Sequence, residues 1–238
     1  MTLYSPLRRR VTASFCTHYR TGEKEETERQ NLFYKTIMQD VKIIEWSFPE
    51  YIMNSPNIYT RGQFSLKAED FIIVSAGNLP PDDLLFYDTM IDILKSNSEF
   101  IWLLVGCEIP QYLEENAKEL FSSKKIINWG YENSLNSLYA LCNVFVSPDK
   151  TGGSGTIAIA AQQNLPLVIS DYPSDARRWI KKENCLPNGY TKFKSEIIKL
   201  YSKKDYYLAQ SKKYKRLVAE ASDSKKIWKK FNDILKSL

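Results

Sequence analysis

The stretch PDKTGGSGT (residues 148–156) sets Gly152, Gly153 and Gly155 around Ser154 and leads into an apolar segment, IAIAAQQ. Glycines and a hydroxyl at the start of a helix suit one kind of chemistry. The first amides of a helix have no intrahelical acceptor, so they point at a phosphate or another anion, and the helix dipole favours the negative charge. Ser154 and Thr156 add hydroxyl donors, and Lys150 brings an ammonium that acts as a point charge. The same residues also make an ordinary turn before a small-residue helix packed tightly on a sheet. The surrounding elements have to decide between the two.

Other chemistry-bearing residues are sparse. His18, in FCTHYRTG, is the sole histidine of the chain, and it reads either as a catalytic group or as a structural one. The four cysteines, Cys16, Cys107, Cys142 and Cys185, are widely scattered, with no C-x-x-C pair. A zinc site of familiar spacing is therefore not expected, and the thiols read as reduced and cytosolic. No metal and no cofactor are expected.

The elements that must position the glycine loop alternate regularly. Apolar runs at 71–77 (FIIVSAG), 100–106 (FIWLLVG), 125–131 (KIINWGY), 143–148 (NVFVSP) and 165–171 (LPLVISD) read as strands buried on both faces. Between them, helical patterns are expected over 83–96, 110–121, 133–142 and 155–164. Pro110 suits the first turn of the second, and Asn133 caps the third. Helices are expected again over 174–183, 191–202, 204–221 and 223–237. This order predicts an α/β fold, a doubly wound, parallel, Rossmann-like sheet with a helical C-terminal tail. In such sheets ligands bind at the carboxyl ends of the strands. Those ends carry Gly77-Asn78, Gly106-Cys107, Gly130-Tyr131 and the GGSGT turn. In the first part of the chain, RRVTASFCTH reads as a strand, GEKEETERQNLFYKTIMQ as a helix and VKIIEW as a second strand. IMNSPNIYTRGQFSL reads as a connector without periodicity.

Hydrophobic residues make up 43% of the 238 and charged residues 26%, an ordinary globular composition. No apolar run approaches the ~20 residues that span a bilayer, and MTLYSPLRRRVTASF lacks the apolar core of a secretory signal. The net charge of +5 is concentrated toward the C-terminus, where Lys225, Lys226, Lys229 and Lys230 interleave with Trp228, Phe231 and Ile234. That pattern fits a solvated face, a helix docked on the body of the protein, or an anionic membrane surface. No motif of a nucleic-acid reader is present.

The ordered series FIIVSAGNL, FIWLLVGCEIP and IINWGYENSLNSLYALCNVFVSPDKTGGSGTIAIAAQQNLPLVISD resembles the C-terminal, donor-binding half of GT-B glycosyltransferases. The resemblance is to the large retaining family (glycosyl transferases group 1) and to its members that build bacterial surface and capsular polysaccharides. It implies residues 1–40 as a remnant of an N-terminal domain, truncated or vestigial, 41–222 as the nucleotide-sugar-binding domain and 223–238 as a crossing helix. It implies a metal-independent, hexosyltransferase-type enzyme. The donor phosphates would lie on Lys150, Gly152, Gly153, Ser154, Gly155 and Thr156. The base or sugar would lie near Gly77, Asn78, Gly106, Gly130 and Tyr131, with His18 as a catalytic residue of the cleft. A nucleotide-sugar donor and a glycan or lipid-linked acceptor follow as partners, with a separate N-terminal-domain subunit or a homo-oligomer completing the site. Residence would be cytoplasmic, at the inner face of the membrane.

The chain departs from the family pattern in two places. Two glutamates eight apart fall, in register with Pro166, on Thr151 and Ile159, or one residue later on Gly152 and Ala160. An arginine and a lysine after the first strand are replaced by GNLPPDDL, with Asn78, Asp82 and Asp83. These departures suit a second reading, a non-catalytic, glycosyltransferase-like subunit that scaffolds or activates a true enzyme.

Overall fold

The computed structural model describes residues 18–21, 42–45, 58–148, 154–171, 176–223 and, singly, 225, 226, 228, 229, 232 and 233. By compactness the chain divides into two units, Met1–Pro49 with Ser222–Leu238, and Glu50–Ala221. In the first unit, β1 (His18–Thr21) and β2 (Lys42–Glu45) pair in parallel. β1 begins at the residue where the first strand was expected to end. Residues 9–17 and the helix expected after β1 lie outside the described residues.

In the second unit, FIIVSA forms β3 (Phe71–Ala76), and all six of its side chains are buried. A strand without polar alternation has no face to offer water, so it must sit inside a sheet with cover on both sides. Its neighbours are β4 (Phe100–Val105), β5 (Ile126–Gly130), β6 (Val144–Ser147) and β7 (Leu167–Ile169), all parallel in the order β5-β4-β3-β6-β7. The expected doubly wound α/β sheet is present, and the chain reverses its direction of winding between β3 and β6.

The two faces separate by alternation. Phe71, Ile73, Phe100, Trp102, Leu104, Val144, Val146 and Val168 belong to one apolar cluster. That cluster also holds residues of α1 (Leu84–Lys95), α2 (Gln111–Asn116), α3 (Lys118–Ser122) and α7 (Phe193–Ser202). Ile72, Val74, Leu103, Val105 and Phe145 are equally buried and point the other way. That side is covered by α4 (Leu135–Tyr139) and α5 (Ser154–Gln162), whose Ile157, Ala158, Ala160 and Ala161 are buried. α6 (Arg177–Ile180) and the long α8 (Lys204–Ala221) pack beside α5. At the centre, the Trp102 indole donates to Ser75 Oγ at 3.0 Å, and Ser75 donates to the Val146 carbonyl at 2.7 Å. Each buried polar atom of this relay thus has a partner.

Three of the expected helices differ in detail. The helix expected over 110–121 is two short helices, because Ala117 leaves helical geometry at φ −124°. Pro110 stands at the N-cap rather than inside the first turn. The helix expected over 133–142 shortens to α4, with Ser134 at the N-cap in place of Asn133. The reason is Glu132, whose carboxylate takes the Ser134 N–H at 2.6 Å and fixes where the helix starts. The segment expected over 174–183 is broken at Lys181, whose φ of +56° no helix continues, and a 3-10 turn, Lys182–Asn184, follows.

Candidate functional site

The carboxyl ends of the strands meet at one edge, and the winding reverses there between β3 and β6, where open α/β sheets bind ligands. β3, β4 and β5 each run out into a glycine with left-handed backbone, Gly77 at φ +81°, Gly106 at +65° and Gly130 at +76°. Backbone bonds hold these ends together. Gly77 N–H donates to Val105 O at 2.8 Å, and Gly106 N–H donates to Gly130 O at 2.7 Å. At Gly106 and Gly130 a Cβ would meet nothing within 4 Å, so the backbone there faces open space. A side chain at either position would be strained by φ alone.

α5 follows β6 and starts at Ser154. Gly155 is exposed, and a Cβ on it would also meet nothing. No acidic residue stands in its first turn, so the partial positive charge of its opening amides is left uncompensated by the helix itself. Thr156 is half-buried in that turn. The expected phosphate ligands Lys150, Gly152 and Gly153 lie outside the described residues. His18 is the first residue of β1 and pairs with Lys42 of β2, both in the first unit.

Asn78 is exposed just past Gly77. Beyond it, the acids Asp82 and Asp83 are partly accounted for. Asp83 caps α1 by accepting from Phe86 N–H at 3.3 Å, and it also accepts from the buried Tyr190 hydroxyl. Its charge is tied to the helix start, while Asp82 is exposed.

At the end of β5 the ladder shifts register. Leu104 pairs with Asn128 but Val105 with Gly130, leaving Trp129 as the extra residue of a bulge. A bulge re-aims a side chain, and Trp129 packs against Phe64 and Tyr59, with ring centroids 4.4 and 6.3 Å away. Its indole donates to Glu132 at 3.1 Å, and the Tyr59 hydroxyl donates to the same carboxylate at 3.2 Å. Tyr131, between them in sequence, is 83% exposed, so the bulge presents a bare aromatic ring at the carboxyl edge. Sequence reasoning missed Glu132 and Trp129. The only available signal was an acid two residues before a serine at a helix start.

Burial works against the charge on Glu132. The Ser134 amide, the Trp129 indole, the Tyr59 hydroxyl and the Asn133 amide nevertheless hold its carboxyl below the usual range. A group with a lowered folded pKa stabilises above its unfolded pKa, and the contribution disappears as pH falls through the folded value. Glu132→Gln is accordingly expected to lower the urea midpoint most at neutral pH. The gap to wild type should close as pH drops below the ordinary glutamate range. A gap independent of pH would remove the carboxylate's charge from the account.

Among the described residues no group of three His, Cys, Asp or Glu side chains could hold a metal ion. A shallow cleft lined by Lys95, Ser123 and Lys125 lies at the amino ends of β4 and β5, away from the glycine edge. Its Lys125 ammonium already donates to the carbonyls of Asn97 and Phe100.

No family model and no curated protein matches the sequence. Solved structures do. Anabaena Alr3699/HepE in complex with UDP superposes with a TM-score of 0.70 at 15% identity, over 99% of this chain and 69% of that one. The pneumococcal O-GlcNAc transferase GtfA in complex with UDP and GlcNAc gives 0.59 at 16%, over 96% and 46%. A point mutant of S. aureus TarM in complex with fondaparinux, alpha-GlcNAc-glycerol and UDP gives 0.69 at 12%, over 98% and 48%. This chain thus spans about half the length of GtfA and TarM and about two thirds of HepE. The likeness shows a shared Rossmann-like α/β fold.

Proposed function

We propose that this chain carries the donor site of a glycosyltransferase that moves a sugar from a nucleotide diphosphate sugar, with a uridine diphosphate sugar the first donor to test. The observation that carries the reading is α5. Its uncompensated opening amides and open Gly155 follow β6 at the point where the sheet reverses its winding. Cleavage of the bond between sugar and diphosphate builds negative charge on the leaving phosphates, and oriented amides stabilise charge that develops in place. In this scheme Lys150, Gly152, Gly153, Ser154, Gly155 and Thr156 hold the diphosphate, and no metal or cofactor is needed. The base lies against Tyr131 and Gly130, with Gly77, Asn78 and Gly106 along the donor's other edge. That solved proteins of the same fold were captured with UDP supports the choice of nucleotide.

The acceptor, a glycan or a lipid-linked sugar, and any catalytic histidine such as His18 belong to the second half of the scheme. That half includes a separate subunit or a second copy that completes the cleft. The Lys-rich C-terminus suits an anionic membrane surface at the cytoplasmic face; no helix among the described residues is long and apolar enough to cross a membrane.

A second reading is a non-catalytic partner of a true transferase. It is favoured by α5, which has no acidic residue and carries Ile159, or in the register one residue later Ala160, where the resembled family has its second glutamate. Thermal melts with UDP, GDP and their sugars separate the two. Ligand at a hundredfold excess over Kd stabilises by about 2.7 kcal/mol, a rise in Tm of roughly 5–10 °C for a cooperative unit of this size. A shift with one nucleotide supports the donor site, and a flat response to all of them leaves the partner reading.

A further inference from the structure

Between Trp129 and Ser134 the chain closes on itself through one carboxylate. Glu132 Oε2 accepts from the Trp129 indole at 3.1 Å, and Oε1 accepts from the Ser134 N–H at 2.6 Å. The Tyr59 hydroxyl lies 3.3 and 3.2 Å from the two oxygens. All three partners donate here, so the site suits a carboxylate and not an amide, half of which would donate back. Behind it the Trp129 ring packs on Phe64 and Tyr59, which stand edge-on to each other with centroids 5.3 Å apart. The bulge at Trp129 and the left-handed Gly130, at φ +76°, turn the next residue away from this cluster. Tyr131, at the tip of the closed turn, is 83% exposed. A pinned turn thus carries a ring that covers no core.

The place of that ring in the sheet sets what it can meet. β5 is an outer strand, and α5 follows β6, three strands away in the order β5-β4-β3-β6. Three strand spacings of about 4.8 Å put roughly 14 Å between the two strand ends. The left-handed glycines Gly106 and Gly77 end the two strands in between. A nucleoside diphosphate laid along this edge, with its phosphates on the opening amides of α5, carries its base toward Tyr131. We propose that Glu132 is a positioning residue of the donor site, its clamp on Trp129, Ser134 and Tyr59 holding the Tyr131 ring as a platform on which the base of the bound nucleotide stacks. The inference rests on the donor-site reading above. Stacking uses the face of the ring, so the Tyr131 hydroxyl is not required, and the gain belongs to the base alone and not to the diphosphate.

The test uses the full chain, with UDP and inorganic pyrophosphate as probes, by calorimetry well below the melting temperature of each variant. Tyr131→Ala is expected to bind UDP about 10-fold more weakly, within the range of base–aromatic stacking, and to bind pyrophosphate as wild type does. Tyr131→Phe keeps the ring and should keep the UDP affinity. Glu132→Gln should weaken UDP about 3- to 5-fold, as one or two hydrogen bonds of the clamp are lost, and leave pyrophosphate unchanged. Added to Tyr131→Ala it should cost nothing further, as for two residues acting through one contact. Tyr59→Phe takes one donor from the clamp and keeps every ring; it should weaken UDP alone by about twofold, and it carries the test if Glu132→Gln does not fold. Equal losses of UDP and pyrophosphate in the clamp variants would mean a loosened fold and overturn the positioning role. So would unchanged UDP affinity in Tyr131→Ala or in both clamp variants, or additive losses in the double variant. These outcomes leave the phosphate half of the donor reading standing, whereas wild-type protein that takes neither probe overturns both.

Discussion

Replacing Gly155 with glutamate is expected to leave the protein as stable as wild type, or slightly more so, and to weaken UDP binding by about 100-fold or more. The two halves of this result have separate causes. A Cβ at Gly155 meets nothing within 4 Å, and the residue is exposed in the first turn of α5, so no packing is disturbed. Exchanging a helical glycine for a residue with a side chain gains roughly 0.5–1 kcal/mol, and an acid in the first turn adds about 0.3–1 kcal/mol against the helix dipole. The same carboxylate would stand where the diphosphate is proposed to lie. Like charges about 4 Å apart repel by roughly 1–4 kcal/mol between water and a protein surface, and a diphosphate carries more than one charge. Calorimetry with UDP beside urea unfolding reads both quantities, and Gly155→Ala controls for bulk alone. A Gly155→Glu protein that binds UDP within threefold of wild type would place the phosphates elsewhere.

What made the sheet legible in sequence was the absence of alternation. FIIVSA and FIWLLV admit only strands buried on both faces, and the structure pairs them in register from Phe71–Phe100 to Ala76–Val105. Helix 204–221 was equally plain and is found as α8 with the same bounds. The glycines that end β3, β4 and β5 could be read because a turn after a buried strand leaves few alternatives to glycine. What stayed hidden depends on partners distant in the chain. Glu132 decides where α4 begins and is held by Tyr59, 73 residues earlier. Tyr139 reads as one more apolar position of a helical stripe, and only the fold shows its hydroxyl buried without a hydrogen-bond partner among the described residues. LPLVISD looked like a full strand, yet only Leu167–Ile169 pairs with β6, since Ser170 bridges instead to Leu186. The connector IMNSPNIYTRGQFSL showed no periodicity because its described residues are held by side-chain contacts to distant residues, those of Tyr59, Phe64 and, above all, Arg61.

Arg61→Ala is expected to destabilise the protein by about 3 kcal/mol, the sum of a few hydrogen bonds to a charged group after solvent exchange. From the 3-10 turn Arg61–Phe64, the five N–H groups of the guanidinium make six hydrogen-bond contacts, one Nη1 proton being shared between two carbonyls. Nε and Nη2 donate to Leu141 O at 3.1 and 2.9 Å, and Nη2 also donates to Asn143 Oδ1 at 2.8 Å. Nη1 donates to the carbonyls of Lys67, Ala68 and Asp70 at 3.1, 3.1 and 2.9 Å. Asn143 Oδ1 in turn accepts from Ile72 N–H at 2.7 Å, so one arginine ties the connector to the amino ends of both β3 and β6. Alanine leaves these carbonyls without their donor. Lysine keeps the charge but has no planar fork, so Arg61→Lys should recover only part of the loss. Since these bonds gather at the amino ends, opposite the glycine edge, the UDP affinity of the folded fraction should not change in either variant. Urea midpoints and calorimetry on the same samples check both statements. A loss below about 1 kcal/mol in Arg61→Ala would mean that water replaces the guanidinium at these carbonyls, and that the strands hold their amino ends without it.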